Sequence, residues 1–139
     1  MKAMIIAVAF LMLCTACADK GQRVQDLQQV VLDLHDSSMV KMDALYITLE
    51  GLKPLRDSLE MDSLPPSPEL DEVLEAITQI RQADDEMMEW MANFEPVEKE
   101  APAEESLAYL EEQKKSIIAV DEAMDASIEN GNQVIKKYK

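Results

Sequence analysis

An all-α protein is expected, an antiparallel up-down-up three-helix bundle behind a lipoprotein signal peptide. Three observations lead there. Only three glycines occur in 139 residues, runs that alternate β-branched with polar residues are absent, and apolar residues recur at three- and four-residue spacing through three long segments. The first seventeen residues stand apart: one basic residue at Lys2, an apolar run from Ala3 to Leu13 too short to span a bilayer with its flanks, and small residues before Cys17.

That opening reads as a bacterial lipoprotein signal peptide over 1–16, with the lipid carried on Cys17. Cys17 follows Thr15 and Ala16, which suit a signal peptidase pocket, whereas Cys14 follows the bulky Leu13. An ordinary secreted protein or an uncleaved anchor is the alternative. Residues 17–21 would then be the lipidated N-terminus and a short linker, and 22–139 the bundle domain. With Cys17 lipidated and Cys14 removed, no disulfide can form in the mature chain, although its compartment would permit one.

The chain carries 13 Lys and Arg against 28 Asp and Glu, a formal charge of −15. Removing 1–16 takes away one lysine and no acid, so the mature charge is −16. Such a chain is repelled by nucleic acid and by anionic headgroups, which excludes nucleic-acid binding and leaves the acyl chains to hold it at the membrane.

The first helix is expected to open at Asp19, with Gln22 reaching back to complete the cap. Its stripe of Val24, Leu27, Val31, Leu34, Ser38, Met42, Leu45, Leu49 and Leu52 keeps one face towards a partner. An end near Leu59 is expected, with Gly51 and Pro54 marking a kink or early stop. Ser67, Pro68 and Glu69 supply a cap, a first-turn proline and an early acid for the second helix, which should run to about Asn93. Its stripe is read as Leu70, Val73, Leu74, Ile77, Ile80, Asp84, Met88 and Met91. After a polar connection containing Pro96 and Pro102, the third helix opens with Glu104 and Glu105 and closes with Lys136, Lys137 and Lys139, each charge at the favourable end of the dipole. Leu107, Leu110, Ile117, Met124, Ile128, Ile135 and Tyr138 mark its buried side.

One constellation carries chemistry. If the first hairpin closes between Leu59 and Pro68, facing residues have numbers summing to about 127. His35, Met39 and Met42 then meet Met88 and Met91. Seven methionines follow Cys17, and five of them fall in this band beside the only histidine and the only tryptophan. An imidazole with thioethers is a soft donor set that favours Cu(I) or Ag(I) over Zn(II) or Ca(II), and an indole face could shield the ion. The plainer reading is adaptable core, because methionine fills irregular gaps between helices. Haem finds no Cys-x-x-Cys-His motif. Asp84 is expected to pair with Lys114 across the bundle; with Asp85 it could instead offer oxygens to a hard cation, but no EF-hand-like loop accompanies them.

Catalysis finds no support: there is no elbow glycine with a Ser-His-Asp set, no histidine pair for zinc, and no phosphate-binding loop. The expectation is therefore a non-enzyme with no resident cofactor, a helical interaction or structural module that presents Trp90 and Phe94 to an envelope partner. A Cu(I)- or Ag(I)-binding protein using His35, Met39, Met42, Met88 and Met91 is the alternative.

His35-Asp36 followed by Met39 and Met42, then Asp85-Glu86-Met87-Met88-Glu89-Trp90-Met91, then Tyr109-Leu110-Glu111-Glu112-Gln113-Lys114-Lys115, resemble small helical lipoproteins of Bacteroidota, some labelled viral A-type inclusion protein-like. The resemblance spans most of the mature chain and implies a lipid-anchored helical envelope protein, with no activity attached. In such bacteria an acidic run after the lipidated cysteine resembles a surface-export signal. Ala18-Asp19-Lys20-Gly21 has one acid and then a lysine, which favours an outer-membrane protein facing the periplasm.

Overall fold

The computed structural model describes residues 2–62 and 67–138, with side chains over 19–61 and 67–138. Four helices follow one another: α1 (Lys2–Met39), α2 (Met42–Asp62), α3 (Pro68–Asn93) and α4 (Ala103–Tyr138). No strand occurs among the described residues, so the chain is all-α. Among these residues no helix is long and apolar enough to cross a membrane. The side chains of 1–16, where a signal peptide is expected, and of Cys17 lie outside the described residues.

Backbone helix runs unbroken through 17–21, so the expected linker is a continuation of α1 and Asp19 caps nothing. The Gln22 amide instead donates to Asp26 Oδ1 one turn on, at 2.8 Å. The α1/α2 arm also breaks elsewhere than expected. It bends at Val40 and Lys41, while α2 passes through Pro54 to Asp62. At the bend the Lys41 N–H reaches back three residues to Ser38 O at 2.9 Å, a tightened turn, before Leu45 N–H resumes the helix on Lys41 O. Ser38 Oγ lies 2.9 Å from Leu34 O and 2.7 Å from Asp121 Oδ1, sharing its one proton between them. Serine bonded back to its own helix bends it. Lys41 Nζ then grips Asp121 at 2.9 Å and Asp125 at 2.6 Å on α4. Pro54 faces solvent, where its ring and missing N–H disturb no packed surface.

Helix α3 starts as the sequence reads. Ser67 Oγ accepts the Leu70 N–H, Pro68 opens the first turn, and Glu69 and Asp71 follow near the positive end of the dipole.

α4 is the spine: it packs against α1, α2 and α3, and α2 also packs on α3. Along α1, α2 and α4 the paired residues climb together, from Lys20 with Glu104 to Ser38 with Asp121 and Lys41 with Asp125. Between α3 and α4 they climb oppositely, Glu72 meeting Lys137 and Gln79 meeting Asn130. His35 with Trp90 and Tyr46 with Asp84 fall within about a turn of the expected first-hairpin register.

The second register differs from a symmetric hairpin. The Gln79 to Asn130 pairing leaves roughly the first thirteen residues of α4, about 20 Å, standing beyond the end of α3. Residues 94–102 cover that stretch as a mostly non-helical strap. Glu95 N–H donates to the Tyr109 hydroxyl at 2.8 Å, and Val97 N–H donates to Gln28 Oε1 at 2.6 Å. This shift removes the expected Asp84 to Lys114 ion pair, because Lys114 lies level with the strap. Asp84 accepts the Tyr46 hydroxyl at 3.2 Å instead.

Val31, Leu45, Leu52, Val73, Ile80, Met87, Leu110, Ile117 and Met124 form the deepest core. The α1/α2 stripe holds as read: Val31, Ser38, Met42, Leu45 and Leu52 are buried, with Val24, Leu27, Leu34 and Leu49 packed at the edge. On α3 the expected stripe holds at Leu70, Val73, Ile77 and Ile80, but Leu74 is 37% exposed and the stripe fails beyond Ile80. Ala83, Met87 and Trp90 are buried, whereas Asp84 is half-buried and Met88 exposed. Both sets continue helical spacing from Ile80. The structure buries the first, whose small Ala83 admits a close neighbour and whose large side chains remove apolar surface from water.

Candidate functional site

His35 lies on the last turns of α1, where the α1/α2 arm, α3 and the strap come together. Its side chain is 21% exposed, and its Nδ1 lies 3.0 Å from Asp36 Oδ1. Its ring stacks on Trp90 with centroids 5.5 Å apart and planes 23° from parallel. Trp90 stacks in turn on Phe94 at 4.8 Å and 15°, and Phe94 on Tyr109 at 6.4 Å and 18°. Four rings thus run from α1 through the end of α3 to α4. Offset aromatic pairs at such separations add about 0.5–1.5 kcal/mol each beyond the area they bury.

Two polar atoms inside this stack are stranded. His35 Nε2 and Trp90 Nε1 are buried with no hydrogen-bond partner among the described residues. Burying such atoms unpaired costs roughly 1–3 kcal/mol each, so they are the places where the bundle is least self-sufficient.

The expected five-residue donor set does not assemble as one cluster. Met42 is 8% exposed in the core, packed with Leu45 and Met87, while Met88 is 54% exposed on the outer side of α3. Met39 sits one turn beyond His35 at the end of α1 and is partly exposed, and Met91 is half-buried at the core edge. Among the described residues no three or more His, Cys, Asp or Glu side chains are grouped to hold a metal ion.

The expectation that Trp90 and Phe94 face a partner is also corrected. Trp90 is 6% exposed and Phe94 half-buried, both inside the ring stack. Trp90 is in phase with Met87 and Ala83, the stripe that α3 actually buries.

The surface offers another feature that sequence reading missed. Val40 is 79% exposed at the bend, Ile47 is 71% exposed on α2, and Tyr46 and Met39 are open beside them. The Tyr46 to Asp84 hydrogen bond brings α3 alongside, and Met88 follows Asp84 by one turn. These five make up more than half of the nine large apolar side chains that stand exposed among the described residues. Exposed Asp36, Asp43 and Asp85 and half-buried Asp84 are interleaved with them. Val40 and Ile47 lie outside the stripe of their arm, and that departure was the available signal.

Ionic contacts hold the bend shut. Burial pushes the Asp121 carboxyl up, but hydrogen bonds from Lys41 and Ser38 outweigh it and hold the group below the usual carboxylate range. Burial likewise works against the Lys41 cation, and Asp121 and Asp125 more than offset it, so Lys41 is raised. At the far end the hydrogen bonds from Lys137 and Tyr138 lower Glu72.

Near the start of the bundle a groove of about 520 Å³ is lined by Gln22, Val24, Gln25, Gln28, Val97 and Lys99, among others, between α1 and the strap. No family model matches the chain, and neither curated proteins nor solved structures include one that is significantly similar to it.

Proposed function

We propose that this chain is a non-catalytic, lipid-anchored protein of the bacterial cell envelope, held at the outer membrane through Cys17 and facing the periplasm, that works as a helical interaction module. Its bundle is read as up-down-up, with α1 and α2 forming one bent arm. The N-terminal charge, apolar run and small residues before Cys17 support the anchor, and the three segments quoted above support kinship with the small helical Bacteroidota lipoproteins.

The observation that carries the interaction reading is the exposure of Met39, Val40, Tyr46 and Ile47 on and around the bend and of Met88 on α3, one turn after the Asp84 that Tyr46 bonds. Contiguous exposed apolar side chains rimmed by polar ones mark interaction surfaces. The interleaved aspartates and the net charge of −15 select a partner that offers apolar side chains within a basic rim. Helical rise places Val40 about 35 Å from Cys17 along α1, so the partner meets the module away from its anchor.

Val40→Glu and Ile47→Glu test this, because both side chains point to water and the fold does not need them. The lipidated protein is recovered from detergent-solubilised envelopes and its co-isolating proteins compared with wild type. A basic-rimmed partner lost from both variants, with helicity unchanged, supports the reading. A partner retained by both would contradict it.

A further inference from the structure

The stranded nitrogen of His35 lies one helical turn before Met39, at the margin of the exposed apolar residues of the bend. Nδ1 lies against the Asp36 carboxylate, so the ring proton belongs on Nδ1, where it donates to Oδ1. The Nε2 lone pair is then free, and it is buried without a partner among the described residues. A carboxylate that orients a histidine through one nitrogen and leaves the other available is the arrangement that metal-ligating histidines use. Met39 follows at i+4 on the same helix face, so its thioether belongs to the same patch of α1. The Trp90 ring lies stacked beneath the imidazole.

We propose that His35 Nε2 and the Met39 sulfur bind one soft monovalent cation, Ag(I) or Cu(I), at the α1 end of the ring stack. A soft monovalent d10 ion such as Ag(I) or Cu(I) accepts two-coordinate geometry, so one imidazole and one thioether suffice where the more highly charged Zn(II) or Ca(II) needs four or more ligands. Thioether and imidazole donors select for such ions. The acidic surface raises the local cation concentration. Met42, committed to the core, and Met88, turned to solvent, are not ligands.

Trp90 and His35 are each the only residue of their type in the chain, so each reports the site without ambiguity. The test uses the full-length chain in detergent, in a Cys14→Ser/Cys17→Ser background so that no thiol competes. It is titrated with Ag(I) in chloride-free buffer and, anaerobically, with Cu(I) against a chelator. Trp90 emission and the imidazole 15N resonances are followed together. One equivalent of Ag(I) should quench Trp90 and shift Nε2 far more than Nδ1. His35→Phe, which keeps a ring on Trp90 but removes the nitrogen, should abolish the response. Met39→Leu should weaken binding by at least about tenfold, comparable to or larger than loss of a supporting ligand contact, and Met88→Leu should leave it unchanged. If His35→Phe does not fold, Met39→Leu and the 15N shift decide alone. Unmoved Nε2 resonances at one equivalent would overturn the proposal and leave the stranded nitrogens to a bridging water. A response that survives Met39→Leu unweakened would overturn it as well.

Discussion

The two ends of the bundle are built differently. Around α2, three helices pack side by side and the contacts are aliphatic and close. A Cβ on Gly131 would lie 2.5 Å from Thr48 Cγ2, and one on Gly51 would lie 2.7 Å from Ile135 Cδ1, so glycine lets α2 and α4 approach at both levels. Around α1 from Gly21 to Gln28, α3 has already ended and a strap takes its place. There the seal consists of stacked rings, the Val97 to Gln28 hydrogen bond and half-buried Val24 and Leu27. Helix against helix buries apolar surface continuously, whereas helix against strap leaves polar atoms that side chains must satisfy one at a time. The two stranded nitrogens lie where the one construction gives way to the other.

Truncation of the core should expose this contrast most strongly. Leu52→Ala should cost about 3 kcal/mol in urea unfolding, as for fully enclosed leucines, and Leu27→Ala, at the edge, about 1 kcal/mol. Equal losses would mean that the strap end is packed as tightly as the other. Gly131→Val comes next, at about 2 kcal/mol, because Thr48 is β-branched and buried and cannot swing away. Gln28→Ala should cost about 1 kcal/mol by stranding the Val97 N–H. Faster amide exchange confined to the strap would locate that loss.

A smaller effect separates the bend from both ends. Asp121 has a lowered folded-state pKa, so its contribution is present above the ordinary carboxylate value and disappears as pH falls through the lower folded one. Asp121→Asn should therefore flatten the acid limb of the stability curve below about pH 4 and leave the neutral-to-alkaline shape governed by other groups. An unchanged acid limb would show that the bend does not depend on this carboxylate. Val40→Ser should be the smallest of all in stability, within about 0.5 kcal/mol.

Much of this architecture is legible in the residues, and the misses have definable causes. The Ser67-Pro68 start, the charge at the ends of α4 and the stripe from Val24 to Leu52 are local signals, and the folded chain uses them. The bend is not marked by Gly51 or Pro54. It arises where Ser38 and Lys41 are drawn to Asp121 and Asp125, residues more than eighty positions away in sequence. The α3 stripe could continue from Ile80 in two phases, and the choice depended on neighbours that periodicity does not reveal. Lys114 was matched with Asp84 because a polar connection gives no hint that it will run as a strap and displace the register. The four-residue spacing puts His35 and Met39 on one face of α1, but periodicity does not reveal that Met42 is buried and Met88 exposed. Trp90 looked exposed only because the wrong phase of α3 was followed.

The most direct test of the interaction reading is photocrosslinking in living cells from single positions on the intact protein, comparing Val40 and Ile47 at the bend with exposed Lys115 on α4. One discrete adduct shared by 40 and 47, absent from 115 and lost when Met88→Glu is added, is the expected result. Adducts of equal yield from all three positions, or none from the bend, would contradict the claim that this apolar cluster is where the module meets its partner.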